Sequence, residues 1–318
     1  MNIPKPFFAF LFLVLLSCSN TDDSESVFAE NDSSDLDSNL DCSNFSSVFS
    51  INLDPTACAI DIQSQLGNTS LYTESIVGTI RTIDINGVAN HLVGEFPNPG
   101  NPNTITEVVE TYTMTTTPQL ANNSTNGAGH TTGVLFSGVV IEPYTAEFFV
   151  GADGTINREW NITTLQSTRS LGLDCNNAHV QPTGRYHYHG TPSNYVDALN
   201  INGSQMVKVG YAADGFPLYY KYGYDEDGST IIPLESGYQL KTEPRGGDGL
   251  TAPSGCPDGY YFQDYEYIDG NSTLDECNGR FGKTPEADEE YYYVITDNFP
   301  SMPLCFSGTP DASFSFRP

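Results

Sequence analysis

Basic residues are scarce in this sequence of 318 residues. Lysine and arginine total 12 against 40 aspartates and glutamates, which gives a formal net charge of −28 at pH 7. A chain this acidic is repelled by the phosphates of nucleic acids, so we expect no nucleic-acid partner. The sequence also lacks a basic amphipathic stretch. We therefore expect no membrane contact through the protein surface itself.

Three familiar catalytic signatures are missing as well. The sequence contains no Gly-x-Ser-x-Gly nucleophile elbow, no P-loop and no glycine fingerprint of a dinucleotide-binding fold. Each of these motifs supplies the backbone geometry that its chemistry needs. Their absence disfavours serine hydrolysis and nucleotide-dependent chemistry.

The longest apolar run is short and lies at the N-terminus, over residues 7–16. Ten residues cannot span a bilayer, and a lysine precedes them, so residues 1–18 are predicted to be a signal peptide. Residues 15–18, LLSC, resemble a bacterial lipobox. In that interpretation Cys18 becomes the lipidated first residue and anchors the chain in the membrane. The alternative is an ordinary signal peptide with an incidental cysteine.

Residues 19–41 contain no lysine or arginine and little apolar content. This composition predicts a flexible acidic tether that holds the folded domain away from the membrane. Its first residues, SNTDDSE, are either an export address for the cell surface or part of an ordinary linker. We expect an outer-membrane lipoprotein of the bacterial cell envelope, facing either the periplasm or the surface.

Six cysteines remain after Cys18, and an even number in an exported chain favours disulfides over thiolate metal sites. Cys42 and Cys58 are close enough in sequence to close a local loop. We therefore expect residues 42–75 to form a disulfide-closed lead-in. The other four cysteines allow three pairings, which the sequence does not distinguish: Cys175, Cys256, Cys277 and Cys305.

From residue 76 onward the chain consists of short runs rich in Val, Ile, Thr, Tyr and Phe, such as TTGVLFSGVVI and EYYYVIT. These residues favour strands, whereas convincing helical periodicity is scarce. Gly, Pro, Asn and Asp, the residues typical of turns, fall between these runs. We predict one mainly β domain over residues 76–318, a large antiparallel sandwich-like or barrel-like fold with long loops and disulfides.

Histidine is scarce, with five in the chain, and three of them fall in AHVQPTGRYHYHG, residues 178–190. In an extended strand His187 and His189 share one face, while Tyr186 and Tyr188 share the other. Two imidazoles on one face form a chelating pair, and His179 lies just upstream. The alternative is a hydrogen-bonded pair that only packs in the core.

These residues resemble the YHYH family, named for the Tyr-His-Tyr-His run at 186–189. The resemblance rests on ordered motifs across the main domain: residues 86–103, 133–149, 171–190, 210–224, 274–286 and 299–310. It implies a set of four motif histidines: His91, His179, His187 and His189. It implies no settled activity, and His130 lies outside the motifs.

The predicted cofactor is a divalent transition metal, Zn or Cu, because neutral imidazole is a common ligand of both. Asp214 or Asp174 is expected to orient a ligand, and Asp214 is the candidate acid or base if the metal is catalytic. Two functions stay open. One is metal-dependent catalysis on an extracellular or envelope substrate, and the other is non-catalytic binding of polysaccharide or another envelope ligand.

Overall fold

Strands account for 30% of the residues that the structure describes and helices for 7%, so the predicted mainly β fold class is confirmed. The computed structural model describes residues 40–316, and the predicted signal peptide, Cys18 and nearly all of the predicted tether lie outside them. Within the described residues, no helix is long and apolar enough to cross a membrane. The described residues belong to one compact unit.

The strands are short. In the first half of the fold they are β1 (Tyr72–Val77), β2 (Ile80–Ile85), β3 (Glu110–Thr115), β4 (Thr125–Asn126), β5 (Gly133–Leu135), β6 (Val140–Ile141), β7 (Phe148–Val150), β8 (Ile156–Asn161), β9 (Ala178–Val180) and β10 (Tyr186–Tyr188). In the second half they are β11 (Lys208–Ala212), β12 (Pro217–Tyr220), β13 (Tyr222–Tyr224), β14 (Ile231–Pro233), β15 (Tyr238–Leu240), β16 (Tyr265–Tyr267), β17 (Gly279–Gly282), β18 (Glu290–Ile295) and β19 (Cys305–Phe306).

Helices are short in the described part of the chain. The α-helices are α1 (Ile62–Leu66) and α2 (Ser193–Ala198), and the 3₁₀ turns are Pro55–Ala57, Phe262–Asp264 and Ala312–Phe314. Asp61 caps α1 by accepting the backbone N–H of Ser64, and Gly67 ends that helix in a left-handed conformation. Neither helix contributes a side chain to the site described below.

The central sheet has eight strands in the order β17-β18-β12-β11-β5-β6-β10-β9 and curls into a half-barrel. Its strand pairs are antiparallel except β6 with β10 and β12 with β18, which are parallel. A separate three-stranded antiparallel sheet has the order β1-β2-β3, and the remaining strands form two-stranded ribbons.

Both faces of the central sheet are buried, which explains the nearly continuous apolar run of residues 133–141. Along β6, Val140 packs into one hydrophobic cluster and Ile141 into another, because successive side chains point to opposite faces. The same alternation continues on β10, where Tyr186 and Tyr188 join Ile141 on the larger cluster. The opposite face of β10 therefore carries the histidines.

Three disulfides link the six described cysteines, as the sequence predicts, but their pairing corrects one expectation. Cys42 does not close a loop with Cys58. Cys42 is bonded to Cys256 and Cys58 to Cys175, while Cys277 pairs with Cys305. The predicted lead-in is thus not closed on itself. Its two cysteines are cross-linked to distant parts of the main domain, because the segment packs against that domain.

Candidate metal centre

A tight hairpin between β9 and β10 sets the register of the site. The backbone N–H of Gln181 donates to the carbonyl of Arg185 at 2.9 Å, and that of Gly184 donates to Gln181 at 2.8 Å. Gly184 has a φ of +88°, and a Cβ there would lie 1.9 Å from Oγ1 of Thr106. Only glycine suits this turn. The resulting register places His179 directly opposite His187.

The three histidines converge on one point. The facing ring nitrogens of His179, His187 and His189 all lie within 4.8 Å of one another, and Nε2 of His179 is 3.1 Å from Nε2 of His189. Two nitrogens bound to one zinc ion at about 2.1 Å in tetrahedral geometry are about 3.4 Å apart. The closest pair of ring nitrogens is therefore spaced like two ligands of the same ion.

The other nitrogen of each ring is occupied by a backbone carbonyl. Nδ1 of His179 lies 3.0 Å from the carbonyl oxygen of Leu171, and Nδ1 of His189 lies 3.3 Å from that of Pro143. Nδ1 of His187 is 3.4 Å from the carbonyl oxygen of Arg185. Because a carbonyl only accepts, these contacts favour the tautomer with the hydrogen on Nδ1, most strongly for His179, and that tautomer leaves the lone pair on Nε2. This is how metal-binding histidines are usually oriented.

Burial keeps the rings uncharged. His187 and His189 are each 2% exposed, whereas His179 is only partly buried. Burial lowers the pKa of all three imidazoles, and their mutual repulsion lowers that of His187 further. Nε2 of His179 and Nε2 of His189 are at hydrogen-bonding distance, 3.1 Å, which is satisfied either by an N–H donated from one neutral ring to the other or by a cation between two lone pairs. A metal ion satisfies the same geometry, so the residues fit the predicted cofactor.

A carboxylate that the sequence analysis missed lies on the same sheet face. Glu142 is 3% exposed and its Oε2 lies 3.8 Å from Nε2 of His187. Burial raises the pKa of Glu142, but Arg185 contacts its carboxylate directly and opposes that shift. Hydrogen bonds from Thr131 at 2.8 Å and Gln181 at 2.7 Å also stabilise the ionised form. The available signal in the sequence was a single acid at the end of the apolar run GVVIEPY.

His91 does not join the other three histidines. It lies on the opposite side of β10, where its Nε2 accepts the hydroxyl of Tyr188 at 2.5 Å and its Nδ1 donates to the carbonyl of Leu92 at 2.8 Å. Tyr188 also contacts Ser137 at 2.9 Å. Burial lowers the pKa of His91 to about 4. Both of its ring nitrogens are occupied within the core network.

Neither predicted aspartate contacts the three histidines. Asp214 lies in the turn between β11 and β12, away from β9 and β10 in the sheet order, and accepts Tyr293 at 2.6 Å and the backbone N–H of Gly308 at 2.9 Å. Asp174 accepts the hydroxyl of Tyr186 at 2.6 Å on the tyrosine face of β10. Both carboxylates therefore have core partners in this structure.

A second group of metal-type side chains has a different explanation. Glu276, Cys277 and Cys305 lie close together. The two thiols are joined in a disulfide and offer no thiolate to an ion. Among the described residues, the histidine group is the one whose donor atoms are free to bind a metal.

The fold and the site define a class: a disulfide-bonded, mainly β domain that presents three converging imidazoles on one sheet face. The model of the YHYH protein family matches residues 111–308, and the chain belongs to that family. The match includes the three converging histidines and Glu142 but not His91. No curated protein and no solved structure matches the chain significantly.

Proposed function

We propose that this protein is an exported, lipid-anchored YHYH domain that binds a divalent transition metal ion, Zn or Cu, through His179, His187 and His189. One observation carries the proposal. Each of the three rings offers one nitrogen within 4.8 Å of the other two, while each Nδ1 contacts a backbone carbonyl, so the rings are oriented towards one point.

The ligand number favours a reactive site over a structural one. Structural zinc sites are usually closed by four protein ligands, whereas catalytic sites use three and leave one position for water or substrate. An ion held here would supply Lewis acidity. His179 is the partly exposed member of the group. We propose metal-assisted chemistry on an extracellular or envelope substrate, with Glu142 rather than Asp214 beside the reacting position.

The proposed location rests on the N-terminal sequence and on the disulfides. A lipobox-like LLSC, an acidic tether and three disulfides all fit a protein that leaves the cytoplasm through a bacterial envelope. Lipid on Cys18 would be the membrane partner. The outer membrane is the destination that we infer from this arrangement.

The test is a metal assay on protein purified without a metal-binding tag. Wild type should carry about one Zn or Cu per chain, and His187→Ala and His189→Ala should each lose most of it. His91→Gln is the matched control, because it removes a buried histidine that packs against the other face of β10 through Tyr188. Added metal should raise the melting temperature of wild type and of His91→Gln but not of the two alanine variants.

Two results would contradict the proposal. Wild type without stoichiometric metal and without a metal-dependent melting shift would leave the histidines as a packing network. Loss of metal from His91→Gln equal to that from His187→Ala would show that the converging group is not the binding site.

A second candidate function, binding of a neutral polysaccharide, is favoured by a separate groove of about 780 Å³. Phe281 and Leu120 on its wall are 53% and 46% exposed, and Tyr291, Arg280 and Asp275 line it with polar atoms. An exposed ring beside hydrogen-bonding groups suits the apolar face and hydroxyls of a sugar.

Phe281→Ala should abolish retention on neutral glycans and leave metal content unchanged. Retention equal to that of wild type would exclude the groove as a glycan site. The histidine variants should retain glycan binding, because the groove lies at the opposite end of the eight-stranded sheet from β9 and β10.

A further inference from the structure

We propose that Glu142 is the anionic group of the metal site and that its charge makes the site select divalent ions over monovalent Cu(I). This inference rests on the proposed metal binding by the three histidines. It assigns Glu142 as a specificity-determining residue.

The position of Glu142 follows from the parallel pairing of β6 with β10. His187 pairs with Val140 and Tyr188 with Ile141, and the backbone N–H of Glu142 donates to the carbonyl of Tyr188 at 2.9 Å. The next residues in this register are therefore Glu142 and His189. Directly paired residues point to the same face of a sheet, so the carboxylate and the imidazoles share one buried surface.

The carboxylate is held so that one oxygen faces the histidines. Oε1 accepts Arg185 and the hydroxyl of Thr131, and Oε2 accepts the amide of Gln181 at 2.7 Å. Oε2 is also the oxygen that lies 3.8 Å from Nε2 of His187. Because the other oxygen is fixed by two donors, Glu142 has little freedom to turn away. An ion at the three Nε2 atoms would feel the negative charge of this carboxylate directly.

The charge balance around Arg185 points to a cation as well. Its guanidinium contacts two carboxylates, Glu142 and Glu110, the latter at 2.9 Å. The side chain of Glu110 is 26% exposed, so water screens its charge, whereas that of Glu142 is 4% exposed and faces the protein interior. A cation beside Glu142 would offset the cost of burying that carboxylate. The three neutral imidazoles beside Glu142 mark where that cation would lie.

Selectivity follows from the ion's own charge. The attraction between a fixed carboxylate and an ion is proportional to the ion's charge, so a divalent ion gains about twice the free energy that Cu(I) gains. Carboxylate also suits divalent ions better than the soft Cu(I), which favours thiolate and thioether ligands. Glu142 therefore raises the affinity for both ions but raises it more for the divalent one.

The experiment measures Zn(II) and Cu(I) affinities by chelator competition for wild type, Glu142→Gln and Glu110→Gln, with Cu(I) handled anaerobically. Glu142→Gln should weaken Zn(II) binding by about 10- to 100-fold, the usual cost of losing an outer partner of a metal site. Cu(I) binding should weaken by roughly the square root of that factor. Glu110→Gln removes the same charge from the far, partly exposed side of Arg185 and should change both affinities by less than about threefold.

A purely structural role for Glu142 would give a different pattern. Glu142→Gln would then melt at a lower temperature with and without metal, while its two affinities stayed at the wild-type values. That result, or an equal fold loss for Zn(II) and Cu(I), overturns the inference but leaves the three-histidine site intact. Wild type that binds neither ion overturns the proposed function itself and this inference with it.

A second variant keeps the test decisive if Glu142→Gln does not fold. The double change Glu142→Gln with Arg185→Gln removes both partners of the ion pair and leaves neither of these two charges buried without its partner. It should still lose more affinity for Zn(II) than for Cu(I). An unchanged ratio of the two affinities in the double variant rejects the role of Glu142.

Discussion

His91 should make this protein sensitive to mild acid, and the size of the effect follows from its surroundings. The ring is 8% exposed and its Nε2 accepts a hydrogen bond from Tyr188. Protonation would place a charge in the core and turn that accepting nitrogen into a donor. Burial accordingly lowers the pKa of His91 from 6.5 to about 4. His91→Gln removes this titration and keeps a polar side chain near Tyr188.

The direction of the pH effect on stability follows from proton binding at His91 in the folded and unfolded states. The unfolded chain binds a proton at His91 near pH 6.5, whereas the folded protein resists it until about pH 4. Stability from this residue is therefore complete above pH 6.5 and is lost as the pH falls towards 4. The full difference corresponds to about 3.4 kcal/mol, of which about 2 kcal/mol is lost between pH 8 and pH 5.

The assay is urea unfolding with the disulfides intact, followed by the fluorescence of the single tryptophan, Trp160. Wild type and His91→Gln are compared at pH 8 and pH 5, with EDTA present to keep metal binding out of the comparison. Other titrating groups affect both proteins and cancel in the difference. Whatever the stability of each protein at pH 8, the loss on acidification should be smaller in the variant by about 2 kcal/mol. Equal losses in the two proteins would refute the reasoning.

Three further outcomes test other parts of the structure. The double variant Cys277→Ser with Cys305→Ser removes the disulfide between two positions 28 residues apart in sequence. Its free energy of unfolding, measured in urea titrations, should be about 3.5 kcal/mol lower. Gly184→Ala should destabilise the β9–β10 hairpin by about 1–3 kcal/mol and lower metal content, because its Cβ would strike Thr106. Cys18→Ser should move the protein from the membrane fraction to the soluble fraction, and continued quantitative membrane association would reject the lipid anchor.

Part of the candidate metal centre could be predicted from local sequence. The spacing of His187 and His189 puts two imidazoles on one face of any strand, and the structure shows that arrangement. His179 could be added because a short turn with Gly184 predicts a hairpin that returns the chain antiparallel. The pairing of His179 with His187 then follows from the turn length.

Glu142 could not be found in the same way. It reaches the histidines through the parallel pairing of β6 with β10, and a parallel pair requires a long crossover connection. Local periodicity does not specify which distant strands pair across such a connection. For His91 the prediction was wrong in the opposite sense, because it added a residue that is not in the group. The motif that contains His91 does not determine the side of β10 on which the ring packs. Its contact with Tyr188 is settled by the core.

The cysteine pairing could not be predicted from the sequence for a related reason. Loop entropy in the unfolded chain favours short closures, and this made Cys42 with Cys58 the natural expectation. The folded chain instead brings Cys42 to Cys256 at a sequence separation of 214. Disulfide formation needs the Cα atoms to approach within a few ångströms, and the packing of the first described segment against the main domain decides which cysteines meet.

The Tyr-His-Tyr-His run alternates two kinds of side chain because the two faces of β10 have different surroundings. Tyr186 donates to Asp174, and Tyr188 contacts Ser137 and His91, so each tyrosine fixes the strand to the core by its ring and its hydroxyl. Because the tyrosine face fixes the strand to the core, a backbone carbonyl at each Nδ1 is enough to orient the imidazoles on the opposite face.

Because the two faces differ, loss of stability and loss of metal should result from substitutions at different residues of the same motif. Tyr188→Phe removes a buried hydroxyl from the anchoring face and should cost about 1–2 kcal/mol of stability without releasing metal. His189→Ala removes a ligand from the other face and should release metal. If both substitutions released metal while the fold of each stayed intact, the faces would not act independently, and the alternation of tyrosine and histidine would need another explanation.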